Sequence, residues 1–186
     1  MTHPFMTAIA TGLFERGITT LRYQFRYMQI GSKRPDPPNV AQATVRAAVL
    51  EASRRFPHLP LIAGGKSFGG RMTSQAQATS PLPGVAGLAF LGFPLHPAGN
   101  PSVARADHLL RISVPMQFLQ GTRDALADID LMHQVVGRIG PHATLTKIAD
   151  ADHSFHVPAR SGRTDQQAMA ELLDALAGWI DQVVTR

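Results

Sequence analysis

Leu59-Pro60-Leu61-Ile62-Ala63-Gly64-Gly65-Lys66-Ser67-Phe68-Gly69 decides the fold of this chain. A short apolar run ends in a Gly-x-Ser-x-Gly pentapeptide, Gly65 to Gly69. That is the sequence form of a strand turning sharply into a helix with a serine at the apex. Side chains two positions before and two after the serine would collide in such a turn, so glycine is expected at both. The bend lifts the Ser67 hydroxyl above the strand end. It also sets the serine at a helix N-terminus, where partial positive charge favours a developing anion. The plainer alternative is a glycine-rich turn with an incidental serine. Against it stand the apolar strand before and a helix from Gly69 to about Thr79 after. Gly65-Lys66-Ser67 also matches the end of a phosphate-binding loop, but that motif needs a glycine where Pro60 stands.

Composition sets the outer bounds. A chain of 186 residues suits one domain with a real core, and a hydrophobic content of 44% argues against disorder. Cysteine is absent, which excludes disulfides, thiolate metal sites and cysteine nucleophiles, and fits a reducing compartment such as the cytoplasm. The start, Met1-Thr2-His3-Pro4-Phe5, shows no basic segment followed by an apolar core, so no signal peptide is read. The longest apolar stretch, Val85 to Phe93, is too short to span a bilayer, and no membrane partner is expected. The formal charge of +5 raises nucleic-acid binding as a question. The cations are scattered, with Lys33-Arg34 and Arg54-Arg55 as the close pairs, and no basic stripe interleaves with aromatics. A solvated, mildly basic surface is the reading, and attraction of anionic substrates stays open.

Periodicity places strands and helices in alternation. Phe5 to about Arg16 reads as a helix closed by Gly17, and Ile18 to Phe25 as a strand rich in Thr, Tyr, Leu and Phe. A proline-rich loop follows, and Asn39 is a candidate cap for a helix from Val40 to about Arg55. Leu61 to Lys66 is the strand before the serine. Val85 to Phe93 is a strand covered on both faces, Pro115 to Gln120 another and Thr144 to Ile148 the last. Ile129, Met132, Val136 and Ile139 trace a helical stripe. Gln166 to Val184 is a strong amphipathic helix with Met169, Leu172, Leu176, Trp179, Ile180 and Val183 on its apolar side. Such alternation implies a mostly parallel sheet of about five strands flanked by helices, in a single domain over 1–186. Functional groups then gather at the carboxyl ends of the strands.

A serine hydroxyl needs a base to take its proton, and the base needs a carboxylate to orient it. Three candidates sit at or just past strand ends: Ser67, Asp124 in Gly121-Thr122-Arg123-Asp124, and His153 in Asp150-Ala151-Asp152-His153-Ser154-Phe155. Their order is nucleophile, acid, histidine. His156 is the substitute for His153, and Asp150 and Asp152 are reserve acids. Asp124 could instead be a turn residue, although Asp128 is the better helix cap before Ile129. His96 follows another strand end, where it could line the pocket or simply sit in a surface loop.

These residues resemble the α/β-hydrolase superfamily, and within it the small dienelactone-hydrolase-like members. The likeness is greatest to the group that includes the testis-expressed hydrolase-like protein and the hydrolase-like domain of a subunit of the non-specific-lethal chromatin complex. It covers nearly the whole chain. Its most specific pieces are His3-Pro4-Phe5-Met6, Gly64 to Arg71, Gly92-Phe93-Pro94-Leu95-His96-Pro97, Gln120 to Asp124 and Asp152-His153-Ser154-Phe155. The resemblance implies a Ser67-His153-Asp124 triad, the Phe68 N–H as an oxyanion donor, and hydrolysis of a small ester, thioester or amide. It implies no metal and no cofactor, a small-molecule acyl substrate as partner, and no nucleic acid. Relatives usually begin with a further apolar strand ending in a His-Gly-rich turn that supplies a second oxyanion N–H. This chain starts after the matching place, so the expectation is a sheet lacking that strand and a Met1 that is internal, misassigned or left by truncation. Loss of one oxyanion donor costs about 10²–10³-fold in turnover. A non-catalytic binding or scaffold module on the same fold is the alternative reading.

Overall fold

The computed structural model describes residues 3–185. Helix α1 (Pro4–Phe14) begins with proline at its first position, where the missing N–H would have had no partner anyway. Then come α2 (Arg26–Gln29), α3 (Pro38–Arg55), β1 (Leu61–Lys66), α4 (Phe68–Thr79), β2 (Val85–Leu91) and a 3₁₀ segment over Ala104–Arg111. The chain closes with β3 (Met116–Gly121), α5 (Ile129–Ile139), β4 (Ala143–Ile148) and α6 (Asp165–Val184). Asp128 caps α5 as its position suggests, its carboxylate accepting from the N–H groups of Asp130 and Leu131. Thr164 and Gln167 cap α6 reciprocally, so that helix starts slightly earlier than its apolar stripe indicates.

The four strands form one parallel sheet in the order β1-β2-β3-β4. Alternate residues of β2 serve opposite faces. Phe90 joins Met72, Val45, Phe93, Phe118 and Leu109 in a core under α3, α4, α5 and the 3₁₀ segment. Ala89 and Leu91 join Leu119, Ile148, Ile9, Leu172 and Trp179 in a second core under α1 and α6. Burial on both faces is why Val85 to Leu91 is an unbroken apolar run. No helix among the described residues is long and apolar enough to cross a membrane.

Two readings need correction. Ile18 to Phe25 joins no ladder, so the described sheet has four strands rather than about five. Side chains hold it in place instead. Phe25 is buried edge-on against Phe68, with ring centroids 5.4 Å apart, and burial pushes the Tyr23 hydroxyl up to about 12. An apolar groove of about 240 Å³ separates this segment from β1, lined by Leu21, Ile9, Leu13, Ala63, Leu91 and Leu176. Asn39 is not a cap: α3 opens at Pro38, and the capping position belongs to Pro37.

The sharp turn at Ser67 is observed, with a twist on which glycines it requires. A Cβ at Gly65 would lie 3.2 Å from the backbone of Gly69 and Gly70. One at Gly69 would meet nothing closer than Phe25 at 3.6 Å, an ordinary contact. The intolerant position is Gly70, where a Cβ would sit 2.7 Å from the Gly65 carbonyl oxygen and 3.2 Å from Phe90. Strand and helix touch there through bare backbone.

Gly70→Ala is therefore expected to destabilise the fold by about 1–3 kcal/mol, as overpacking does. Gly178→Ala, in the exposed middle of α6 with open space around it, should stabilise by roughly 0.5–1 kcal/mol. Urea unfolding of the two variants beside the parent checks both signs. Equal effects would contradict the close approach.

Candidate active site

The ladder registers align the strand ends: Lys66 pairs with Leu91, Leu91 with Leu119, and Gly121 with Ile148. Pairing continues one residue further, through Ser67 N–H to Leu91 O at 3.1 Å, Gly92 N–H to Leu119 O at 2.8 Å and Thr122 N–H to Ile148 O at 3.1 Å. The loops that follow these strands therefore rise side by side.

Ser67 stands at the first of these ends with φ 50° and ψ −116°, a left-handed backbone that a serine adopts only under constraint. Phe68 is the first residue of α4, so its N–H lies among those with no carbonyl inside the helix. The loops after β3 and β4 are clasped together. Arg123 N–H donates to Ala151 O at 2.9 Å, Asp150 N–H donates to Thr122 Oγ1 at 2.9 Å, and Gly121 leaves no room for a Cβ against Ala151. Asp150 and Phe155, both with positive φ, bracket a tight turn in which the Asp152 carboxylate accepts from the N–H groups of Ser154 and His156.

That clasp sets His153 between the other two candidates. His153 Nδ1 donates to Asp124 Oδ2 at 2.7 Å, which leaves Nε2 to accept from the Ser67 hydroxyl at 2.8 Å. The Asp124 side chain is fully buried, and its burial is compensated by a complete set of donors. Gln120 Nε2 gives to Oδ2 at 2.5 Å, and Leu126 N–H gives to Oδ1 at 2.8 Å. Gln120 is itself held by Phe93 N–H at 2.9 Å. Such a line of three can move a proton from hydroxyl to imidazole while the carboxylate holds the tautomer.

The reserve candidates lie elsewhere. Asp152 is committed to its turn, and His156 faces outward, paired with Asp165 at 2.9 Å. His96 is neither a pocket residue nor a surface one. It is buried, with Nδ1 donating to Pro97 O and Nε2 accepting from Asp128 N–H, both at 2.8 Å, so it pins the loop after β2 to the start of α5. A second serine–histidine contact, Ser74 Oγ to His108 Nε2 at 2.7 Å, joins α4 to the 3₁₀ segment. Ser74 is completely buried, so this pair locks two elements together and offers no reachable hydroxyl. Burial, then the charges of Arg111 and Arg71, push the His108 imidazole down to about 4.

Sequence reasoning missed two contributors. Gln120 was visible as a polar residue closing an otherwise apolar strand, four residues before Asp124. Lys66, just before the serine, gave no such signal. Its ammonium donates to the His153 carbonyl and sits over the rings of Phe5 at 5.4 Å and Phe155 at 5.1 Å. It thereby ties the Ser67 turn to the His153 loop and to α1. Burial draws this lysine down to about 8, against the opposing pull of Asp124 and Asp152. Among the described residues, no cluster of three or more histidines and carboxylates could hold a metal ion.

The model of the alpha/beta hydrolase domain matches residues 1–181. The chain belongs to the α/β-hydrolase family. Solved structures share the family's architecture with it at low identity. A dienelactone hydrolase from Anabaena variabilis superposes with a TM-score of 0.73 at 18% identity, over 97% of this chain and 80% of that one. A lidless α/β serine hydrolase from Xanthomonas campestris gives 0.70 at 23%, over 94% and 73%. An α/β serine hydrolase homologue from Coxiella burnetii gives 0.71 at 21%, over 92% and 76%. At these identities the likeness speaks for the α/β-hydrolase fold.

Lys66 supplies the test of this site's electrostatics. Its folded value lies below its ordinary 10.5, so the unfolded chain binds the extra proton between about pH 8 and 10.5. Charging Lys66 therefore opposes folding below pH 8, and that opposition fades as the pH rises. With ¹³Cε-labelled lysine, the resonance lost in Lys66→Arg should titrate near pH 8. A midpoint near 10.5 would contradict the buried ammonium.

Proposed function

We propose that this α/β-hydrolase is a metal-independent serine hydrolase of small esters, thioesters or amides, with Ser67 as nucleophile, His153 as base and Asp124 as orienting acid. The observation that carries the reading is the continuous hydrogen-bonded line from Ser67 Oγ through His153 to a buried, fully bonded Asp124. In the first half-reaction His153 Nε2 takes the hydroxyl proton as Oγ adds to the carbonyl carbon. The oxyanion collects at the Phe68 N–H, where the helix terminus favours negative charge. The tetrahedral adduct then collapses. The bond to the leaving group breaks, His153 returns the proton to that group, and an acyl-serine remains. Water repeats the sequence with His153 again as base and releases the acid.

The same motifs support a finer placement among the small dienelactone-hydrolase-like enzymes, near the testis-expressed and non-specific-lethal-complex group, as one domain acting in a reducing cytoplasm. A chain of this length leaves little room for a lid, which favours small or exposed acyl groups over long lipids. The Xanthomonas neighbour, described as lacking a lid, is consistent with that preference.

A second reading, a binding module on a hydrolase fold, is favoured by one feature. The apolar groove beside β1 is lined by Gly64 and Gly65 but by none of Ser67, Asp124 or His153, so it offers a binding surface apart from the candidate triad. A fluorophosphonate probe separates the two. Labelling of the parent that vanishes in Ser67→Ala supports the enzyme, and no labelling of folded protein supports the module. Ser67→Ala should reduce p-nitrophenyl acetate turnover to background with folding retained, and undiminished activity would remove Ser67 from the mechanism. Asp124→Asn should lower kcat by about 10⁴, because the imidazole is then free to adopt the wrong tautomer.

A further inference from the structure

Strand β1 leaves one of its edges unguarded. Among the described residues it pairs with β2 alone. Ser67 N–H points to the β2 side, to Leu91 O at 3.1 Å. Backbone groups alternate along a parallel strand, so Ala63 and Gly65 face β2 as well, and Ile62 and Gly64 turn their N–H and C=O the other way. Those four groups have no hydrogen-bond partner among the described residues. Native sheets blunt such edges with charge, proline or cover. β4, at the far side of the sheet, carries Thr144, Thr146 and Lys147. β1 offers Leu61, Ile62, Ala63, Gly64 and Gly65 in a row, with no polar side chain among them. It is half-buried along most of its length, whereas β3 is buried throughout.

The apolar groove gives this edge a second wall, since Thr19, Leu21 and Tyr23 line it together with Ile62 and Gly64. Ile9, Leu13, Leu176 and Ile180 in its lining belong to the core under α1 and α6. Val45 and Val49 belong to the core under α3 and α4. The groove thus passes between the two cores, at the level of the sheet. A smaller recess shares Leu21, Ala52 and Leu61 with it and continues past Phe56 and Leu59, two exposed apolar side chains just before β1. Arg22 is the one charged side chain of the described lining, and its guanidinium donates to Thr7 Oγ1 at 2.9 Å. Burial keeps the Tyr23 hydroxyl protonated. Charge complementarity therefore calls for an uncharged occupant, because a buried charge there would lack a partner. An acyl chain suits the apolar walls but leaves the Ile62 and Gly64 backbone unpaired. A helix bonds its own backbone and is about 10–12 Å across. A strand carries donors and acceptors along its edge and sends alternate side chains to two opposite faces.

We infer that this groove is a binding slot for an extended, uncharged apolar segment of a partner polypeptide, which joins the sheet as a strand beside β1. Alternate N–H and C=O groups of the partner pair with those of Ile62 and Gly64. Its side chains enter by turns the core under α1 and α6 and the core under α3 and α4. Main-chain pairing supplies affinity. The two apolar faces select an unbroken apolar run over one that alternates with polar residues. The inference goes beyond acyl hydrolysis, since no candidate of the triad lines the groove.

The test uses a fluorescein-labelled peptide, Val-Ile-Val-Leu-Val between pairs of lysines, titrated into the whole protein and followed by anisotropy. Saturable binding is expected. Two further peptides carry N-methyl groups on one alternate set of apolar residues or on the other, so each has one blocked edge. The peptide blocked on the edge toward β1 should bind about tenfold or more weakly than its counterpart, as the loss of two hydrogen bonds implies. Hydrogen exchange at the Ile62 and Gly64 amides should slow when the unmethylated peptide is added, and exchange at Ala63 and Gly65, which face β2, should not change. Leu21→Asp puts an unpartnered carboxylate in the groove and should abolish binding. The N-methylated pair is read on the parent protein, so it decides the matter even where that variant fails to fold. Equal binding of both N-methylated peptides, or displacement by oleate with no slowing at Ile62 and Gly64, overturns the strand and gives the groove to an acyl chain. Absence of binding by every peptide also overturns it, and a concentration-dependent dimer in sedimentation would then assign the edge to a second copy.

Discussion

Backbone-to-backbone contact between Gly65 and Gly70 is the constraint from which the site follows. The chain must leave β1 and enter α4 within a few residues, and it does so by packing the Gly65 carbonyl against a helix residue with no side chain. That approach is what forces Ser67 into a positive φ and places its hydroxyl at the sheet's edge with the Phe68 N–H beside it. Strain of this kind costs of order 1–3 kcal/mol and persists only because the surrounding core over-determines it. Here Phe90 beneath Gly70 and Phe25 against Phe68 fill the space on either side.

The charged groups around the turn are arranged by contrast. Asp124 is buried but saturated with donors, so it orients His153 without being free to move. Lys66 is packed against two aromatic rings and a carbonyl, and it braces the His153 loop against the Ser67 turn. Arg71 and Arg105 are left without carboxylates of their own.

Much of this was legible in the chain because the relevant signals are local. A strand, two glycines and a serine in eleven residues announce the turn, and Asp128 announces the start of α5. The three candidate residues were legible through a slightly longer argument, since parallel strands must all end at one edge and each candidate follows such an end. Ile18 to Phe25 shows where that logic stops. Its residues have the composition of a strand, but a strand exists only in a pair, and pairing depends on what lies alongside. Gln120 and Lys66 escaped notice for a related reason. Their roles arise from Asp124 and from the His153 carbonyl, which are near in space and, for Lys66, far in sequence.

By itself, the order of residues determined the alternation of strands and helices, the sharp turn and the candidate set of serine, histidine and aspartate side chains. Each of these is written in periodicity, in backbone freedom or in chemical type within a short window. Only the folded chain decided that His153 rather than His156 reaches Ser67, that His96 is buried as a tie rather than exposed, and that Gly70 rather than Gly69 is the indispensable glycine. Those choices turn on ångström-scale approaches between segments distant in sequence. The packing of the two cores sets such distances, and no local pattern encodes them.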